Sequence, residues 1–359
     1  MQKKNRFKII LFSNLFVLFL IIYLIINNIT IEKNNQTTFD FRKFDLYYHD
    51  LIKNCYLSED FNCCIASTIA MSKRNSKIAI NDSCNEGYYL NSLDCEYSYL
   101  WCERDHKPIF LIIIDGMRAD SFKEANTPYI DSLINDYNSA YSFNSTTVCP
   151  STTPSAHASL FTGLSPEEHN FHNANDNFNG ITIFEVFEKN GYTTALIDGK
   201  GMKRIKGLER SVSYYYGDDY YYYEFIDGVR NIDSKVVNTF IEIFMEHKPD
   251  FSFILLPIVD YTGHTFGHDS QEYLNAINEA DSALKLLIKK LKELNLFEES
   301  QIIILSDHGM TDNDHRHCFP TDMIIPIIKY GYNFPTGEIP DQSIKDIFHE
   351  LVEIYELNY

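Results

Sequence analysis

The sequence predicts an α/β domain, a mostly parallel sheet with helices on both faces. Three observations predict it. Residues 108–114 form an unbroken apolar run, largely β-branched or aromatic, which is the pattern of a strand buried on both faces. Similar runs recur down the chain and alternate with segments of helical spacing. Three of them end directly on chemistry-bearing residues: Asp115, then Asp260 and His264, then Asp307 and His308. In open α/β sheets ligands bind just beyond the carboxyl ends of the strands.

The elements follow in order. Lys3, Lys4, Arg6 and Lys8 precede residues 9–26, which are apolar apart from Ser13 and Asn14. At roughly 18 residues the run is long enough to span a bilayer as a helix. It ends on bulky Tyr23, Leu24, Ile25 and Ile26, not on the small residues of a signal-peptide cleavage site. The reading is an uncleaved signal-anchor over residues 1–26. Positive residues stay cytoplasmic, so the rest is predicted to face the lumen or the exterior, as a single-pass type II membrane protein. Residues 27–50 are polar and Asn-rich, a stalk. Residues 51–105 hold Cys55, Cys63, Cys64, Cys84, Cys95 and Cys102, a density expected of disulfides in an oxidising compartment. Sequons at Asn28, Asn35, Asn81 and Asn144 suit a glycoprotein on that side. The connectivity of the cysteines, Cys149 and Cys318 included, is not legible in their spacing.

Residues 106–359 carry the alternating pattern. Strands are predicted at 108–114, 193–197, 251–258, 301–305 and 323–329. Helices are predicted at 127–134, 183–189, 234–246 and 271–294, with a last one capped by Ser343. The Tyr-rich tract 214–223 reads as a loop or an edge strand. A formal net charge of −19 argues against a nucleic-acid-binding module, which neutralises phosphates with Lys and Arg.

The segment from Thr152 to Gly163 reads as a helix start, with Pro154 in the first turn. A helix N-terminus suits an anionic phosphate, and a hydroxyl there becomes a nucleophile if a metal ion lowers its pKa. Imidazole and carboxylate without thiolate is the donor set of a catalytic zinc. His315 and His317 follow the last of the loaded strand exits.

Taken in order, Ile114-Asp115-Gly116, Thr153 ten residues before Gly163, Asp260-x-x-Gly263-His264 and Ser306-Asp307-His308-Gly309-Met310 resemble the type I phosphodiesterase / nucleotide pyrophosphatase family of the alkaline phosphatase superfamily. The resemblance covers about residues 106–330. It implies an alkaline-phosphatase-like fold and a site for two Zn2+. Asp260, His264 and a late histidine would hold one ion. Asp115, Asp307 and His308 would hold the other, with Thr153 as nucleophile and metal-bound hydroxyl. Similarity selects His315 as the late histidine, although Arg316 stands where the family has glycine; His317 is the alternative. Asn173 takes the place of the family's phosphoryl-binding asparagine, with Asn175 close by. The segments around His157 and Lys200 also resemble the sulfatases, so Lys200 is a second candidate for substrate binding. Thr153 excludes formylglycine chemistry, which needs Cys or Ser. The implied activity is hydrolysis of phosphate diesters or pyrophosphates, with a nucleotide or similar small molecule as substrate and no protein partner evident. A phosphoethanolamine-type transferase and a catalytically silent binding ectodomain are the alternatives.

Overall fold

The computed structural model describes residues 107–173, 176, 178, 180–200, 207, 209, 211–217 and 231–359, and the backbone of three earlier strands. Two compact units divide the chain, Met1–Asp105 and His106–Tyr359. In the first, β1 (Lys77–Ile78), β2 (Tyr88–Ser92) and β3 (Leu100–Arg104) form an antiparallel sheet in the order β1-β3-β2. The expected anchor and stalk lie outside the described residues, as do the side chains of the six clustered cysteines. No helix among the described residues is long and apolar enough to cross a membrane.

The second unit is built on a mixed sheet of eight strands. In chain order these are β4 (Ile109–Ile114), β5 (Ser139–Thr146), β6 (Thr194–Asp198), β7 (Tyr214–Gly217), β8 (Phe251–Leu256), β9 (Gln301–Leu305), β10 (Ile324–Tyr330) and β11 (Gly337–Glu338). They lie in the order β11-β5-β10-β9-β4-β8-β6-β7. From β9 to β7 all neighbours are parallel, as expected. The predicted fifth strand, β10, instead runs antiparallel to both β9 and β5.

The apolar run of β4 works as a two-sided strand. Ile109, Leu111 and Ile113 join one core cluster; Phe110, Ile112 and Ile114 join the other. The first cluster is closed by α3 (Thr153–Thr162), α5 (Ile183–Lys189) and α10 (Asp346–Ile354). The second is closed by α1 (Ala119–Glu124), α2 (Pro128–Ile134), α6 (Ile232–His247) and α8 (Gln271–Glu293). Each apolar side chain so buried contributes about 1.5–3 kcal/mol against leaving it in water. Between these lie the short α4 (Pro166–His169) and α9 (Pro320–Met323), and α7 (Ile258–Phe266), which begins where the strand 251–258 was expected to continue. Pro257 has no amide hydrogen for the ladder and caps α7 instead.

One strand was missed, one helix boundary moves and one open reading is resolved. β5 was not foreseen, because its Ser- and Asn-rich sequence lacks the apolar signal; it is held by pairing with β10. The last helix starts at Asp346, since Ser343 pairs with Thr146 in an isolated bridge and donates its amide to Asp346 Oδ2. The described part of the Tyr-rich tract is the edge strand β7, one of the two readings. Asn144, one of the sequons, lies exposed on β5 with its amide on Asp341 Oδ2 at 2.7 Å.

Candidate metal centre and active site

Everything chemical gathers at one edge of the parallel sheet. Asp115 leaves β4, α7 leaves β8, and Ser306-Asp307-His308 leave β9. The exits are stitched together: Asp115 N–H donates to Leu256 O (3.0 Å), and Met117 N–H to Ser306 Oγ (2.8 Å). Two glycines permit this closeness. Gly116 has φ +72° and a side chain there would meet Asp260 Cα at 3.0 Å. A Cβ on Gly309 would fall 2.0 Å from Thr321 O.

Asp260 and His264 share one face of α7, one turn apart, with His264 Nε2 3.3 Å from Asp260 Oδ1. The same oxygen lies 3.7 Å from His315 Nε2 and 4.0 Å from His308 Nε2. All three rings are oriented alike. Nδ1 of His264, His308 and His315 faces a backbone carbonyl, of Asn313 (2.8 Å), Gly309 (2.8 Å) and Ser151 (2.6 Å) respectively. A carbonyl only accepts, so each Nδ1 carries the proton and each Nε2 offers a lone pair.

The carboxylates are buried. Asp307 Oδ1 accepts from the amides of Gly116 and His308, both at 3.1 Å, which turns Oδ2 toward His308 Nε2 at 3.6 Å. Asp115 Oδ1 lies 3.5 Å from the same nitrogen. Asp115 Oδ1, Asp260 Oδ1 and Asp307 Oδ2 accept no hydrogen bond although buried. Buried acceptors are seldom left so, and together with three aimed imidazoles they fit a cation. Among the described residues, two groups have every ligand atom within 4.8 Å of the others: Asp115–Asp307–His308 and Asp260–His308–His315. The first is the expected set. The second has His308 where His264 was expected; His264, with its side chain 37% exposed, stands at the rim.

Electrostatics follow from this packing. Burial, then the neighbouring Asp307, pushes Asp115 up to about 7, and burial pushes Asp307 up to about 6. Burial also acts to raise Asp260, but the charge of Lys200 leads the opposing causes and that carboxyl is held well below the usual range. Burial and the adjacent His308 bring His315 down to about 3, so it is neutral and available as a ligand.

Thr153, buried, opens α3, and Thr152 caps that helix. Its Oγ1 lies 3.3 Å from His308 Nε2, beside both groups. His317 does not join them: it is exposed and pairs with Asp314 at 3.5 Å. Lys200 lies deeper than an anion-binding role calls for. Its ammonium is fully buried, 2.6 Å from both Asp115 Oδ2 and Asp260 Oδ2. Asn173 is exposed in a turn where its amide meets Asp176 Oδ2, beside His172, whose carbonyl accepts from Thr152 Oγ1. Asn175 lies outside the described residues. Two contributors were not among the site residues expected from the sequence. His157 sits on α3 under the cluster, its Nε2 3.5 Å from Asp307 Oδ2, and Ser151 orients His315. Only the helical offset of His157 from Thr153 pointed toward the former.

Comparison with known proteins gives the family and the fold. The model of the family described as Type I phosphodiesterase / nucleotide pyrophosphatase matches residues 109–340, more than half of the chain. The venom phosphodiesterase of Macrovipera lebetinus is 26% identical over 68% of this chain and 30% of its own length. An uncharacterized pyrophosphatase/phosphodiesterase of Schizosaccharomyces pombe is 29% identical over 68% of this chain and 54% of its own. The chain thus spans well under two thirds of these curated relatives. Among solved structures, murine ectonucleotide pyrophosphatase / phosphodiesterase 5, in an inactive form with AMP, has TM-score 0.57 and 16% identity, covering 70% of this chain and 96% of that one. A phosphonate monoester hydrolase of Agrobacterium radiobacter has TM-score 0.56 and 14% identity, covering 70% and 74%. These two likenesses speak for the fold, and the family match for descent: the chain belongs to the type I phosphodiesterase / nucleotide pyrophosphatase family of the alkaline phosphatase superfamily.

Proposed function

We propose that the protein is an extracytoplasmic two-zinc phosphodiesterase/nucleotide pyrophosphatase that works through a phospho-threonine at Thr153. The observation that carries this reading is the convergence of three buried carboxylates and three Nδ1-pinned imidazoles beneath one buried hydroxyl. Asp115, Asp307 and His308 would hold one ion; Asp260, His315 and the rim residue His264 would hold the other. Zinc bound there supplies Lewis acidity that lowers the pKa of the threonine hydroxyl and offsets the charge of the phosphoryl group.

The chain's own groups do the rest. Thr153 Oγ1 forms a bond to phosphorus while the leaving oxygen departs on the opposite side, and water then cleaves the phospho-threonine and restores the hydroxyl. Pro154 has no N–H and the amides of Ser155 and Ala156 are taken by Thr152, so the Thr153 amide is the backbone donor that α3 would offer a phosphoryl oxygen, and Asn173 is the candidate side chain for the same task. Two Zn2+ against three carboxylates leave a net charge of about +1, to which Lys200 adds another, enough to draw in a diester. A nucleotide substrate is supported by the AMP complex of the phosphodiesterase 5 neighbour. An oxidising compartment is supported by the Cys149–Cys318 disulfide, and the basic, then apolar, first 26 residues supply the type II anchor.

The test is hydrolysis of the 4-nitrophenyl ester of thymidine 5'-monophosphate by zinc-loaded protein. Thr153→Ala is expected to lower turnover on the order of 10³-fold or more with zinc content unchanged. A zinc-loaded parent that cleaves neither this diester nor a nucleoside triphosphate sinks the proposal.

A further inference from the structure

The disulfide between Cys149 and Cys318 joins segments 169 residues apart, and both of its ends fall at the site. Cys149 lies four residues before Thr153, and Cys318 three residues after His315. Between those points the two segments are bonded twice more. Ser151 Oγ donates to His315 O, and His315 Nδ1 donates to Ser151 O at 2.6 Å. Ser151 is fully buried. The segment carrying His315 belongs to no helix or strand, so neither ladder nor helical hydrogen bonds fix its side chain. Cys318 has φ +57°, a left-handed conformation that a non-glycine residue keeps only where its surroundings hold it.

We propose that the Cys149–Cys318 disulfide and Ser151 form a positioning clamp that locks the His315 segment to the Thr153 segment and thereby sets the affinity for the ion that Asp260, His264 and His315 would hold. The clamp acts through His315. With Nδ1 held on Ser151 O, Nε2 stays on the Asp260 side; without the covalent tie the ring gains freedom that metal binding must then remove. Asp115, Asp307 and His308, which would hold the other ion, have no member on the His315 segment and meet it through the stacking of His308 on His315 at 3.6 Å. This inference rests on the zinc reading above.

The experiment is zinc titration of the full chain against a competing chelator, below its unfolding temperature, for the parent, the double variant C149S/C318S, and Ser151→Ala with the disulfide intact. In the double variant one of two zinc equivalents is expected to lose about 10–100-fold in affinity while the other changes less. Ser151→Ala is expected to move the same equivalent in the same direction by less, which keeps the test valid if the double variant fails to fold. If the disulfide only stabilised the fold, its loss would lower the unfolding temperature and leave both affinities alone. Unchanged affinities in a folded double variant, or in Ser151→Ala if the double variant does not fold, overturn the clamp and leave the proposed function standing. A parent that binds no zinc overturns both.

Discussion

Two buried lysines show how differently this fold treats charge. Lys329, on β10, is fully buried and donates to Gln342 Oε1 at 2.6 Å and to Glu350 Oε2. That pair ties the sheet to α10. Lys200 is equally buried but touches two carboxylates, and the other oxygens of those carboxylates are left without hydrogen bonds. The first cluster is balanced and closed, as structure requires. The second carries three carboxylates around one ammonium, an excess of negative charge that folding alone would not retain. Burial of charge therefore means architecture in one place and a group that could hold a cation in the other, and the orphaned acceptors separate them.

Perturbing the acidic cluster should give the largest effect. Asp260→Ala removes a carboxylate that lies within 4.0 Å of His264, His308 and His315 alike. Its zinc affinity should fall by more than the roughly 10–100-fold typical of groups that only orient a ligand. Chelator competition measures it, and wild-type affinity would break the contrast. Glu350→Ala should do the reverse. It leaves the buried Lys329 ammonium without its carboxylate, at a cost of about 3 kcal/mol in denaturant unfolding, while zinc stoichiometry holds. Loss of metal in this variant would mean the two clusters are not separate.

Gly309→Ala sharpens the boundary between fold and site. Its Cβ would collide with Thr321 O, so the Asp307–His308 segment must shift, at roughly 1–3 kcal/mol and with weakened zinc binding. The smallest effect is a pH slope away from both lysines. Asp281 accepts from the amides of Tyr129 and Ile130, yet burial pushes its carboxyl up to about 6. Its protonated form is favoured in the folded state, so its contribution to stability is full below the ordinary value near 4 and is lost as pH rises through 6. Asp281→Asn should flatten unfolding free energy against pH across that window. An unaltered slope would show that Asp281 does not titrate there.

How much of this was legible in the chain depends on how local each signal is. The buried strands β4, β8 and β9 announce themselves as apolar runs, and Asp115, Asp260, Asp307 and His308 stand where those runs end. The helices α2, α5, α6 and α8 match their apolar spacing closely. β5 escaped because its stability comes from its neighbour β10, not from its own side chains. α7 was hidden because its first residues continue the apolar texture of β8 and only Pro257 breaks the ladder.

By itself the sequence determined the sheet's parallel centre, the edge on which the site is built, and the donor chemistry of that site. Those are properties of pattern and residue type, which do not depend on distant contacts. Only the tertiary structure decided that His315 and not His317 faces Asp260, and that Lys200 sits between two carboxylates. It alone decided that Ser151 aims an imidazole, and that Cys149 meets Cys318 across 169 residues. Each of these is a meeting of segments far apart in the chain, and such meetings are set by how the elements pack.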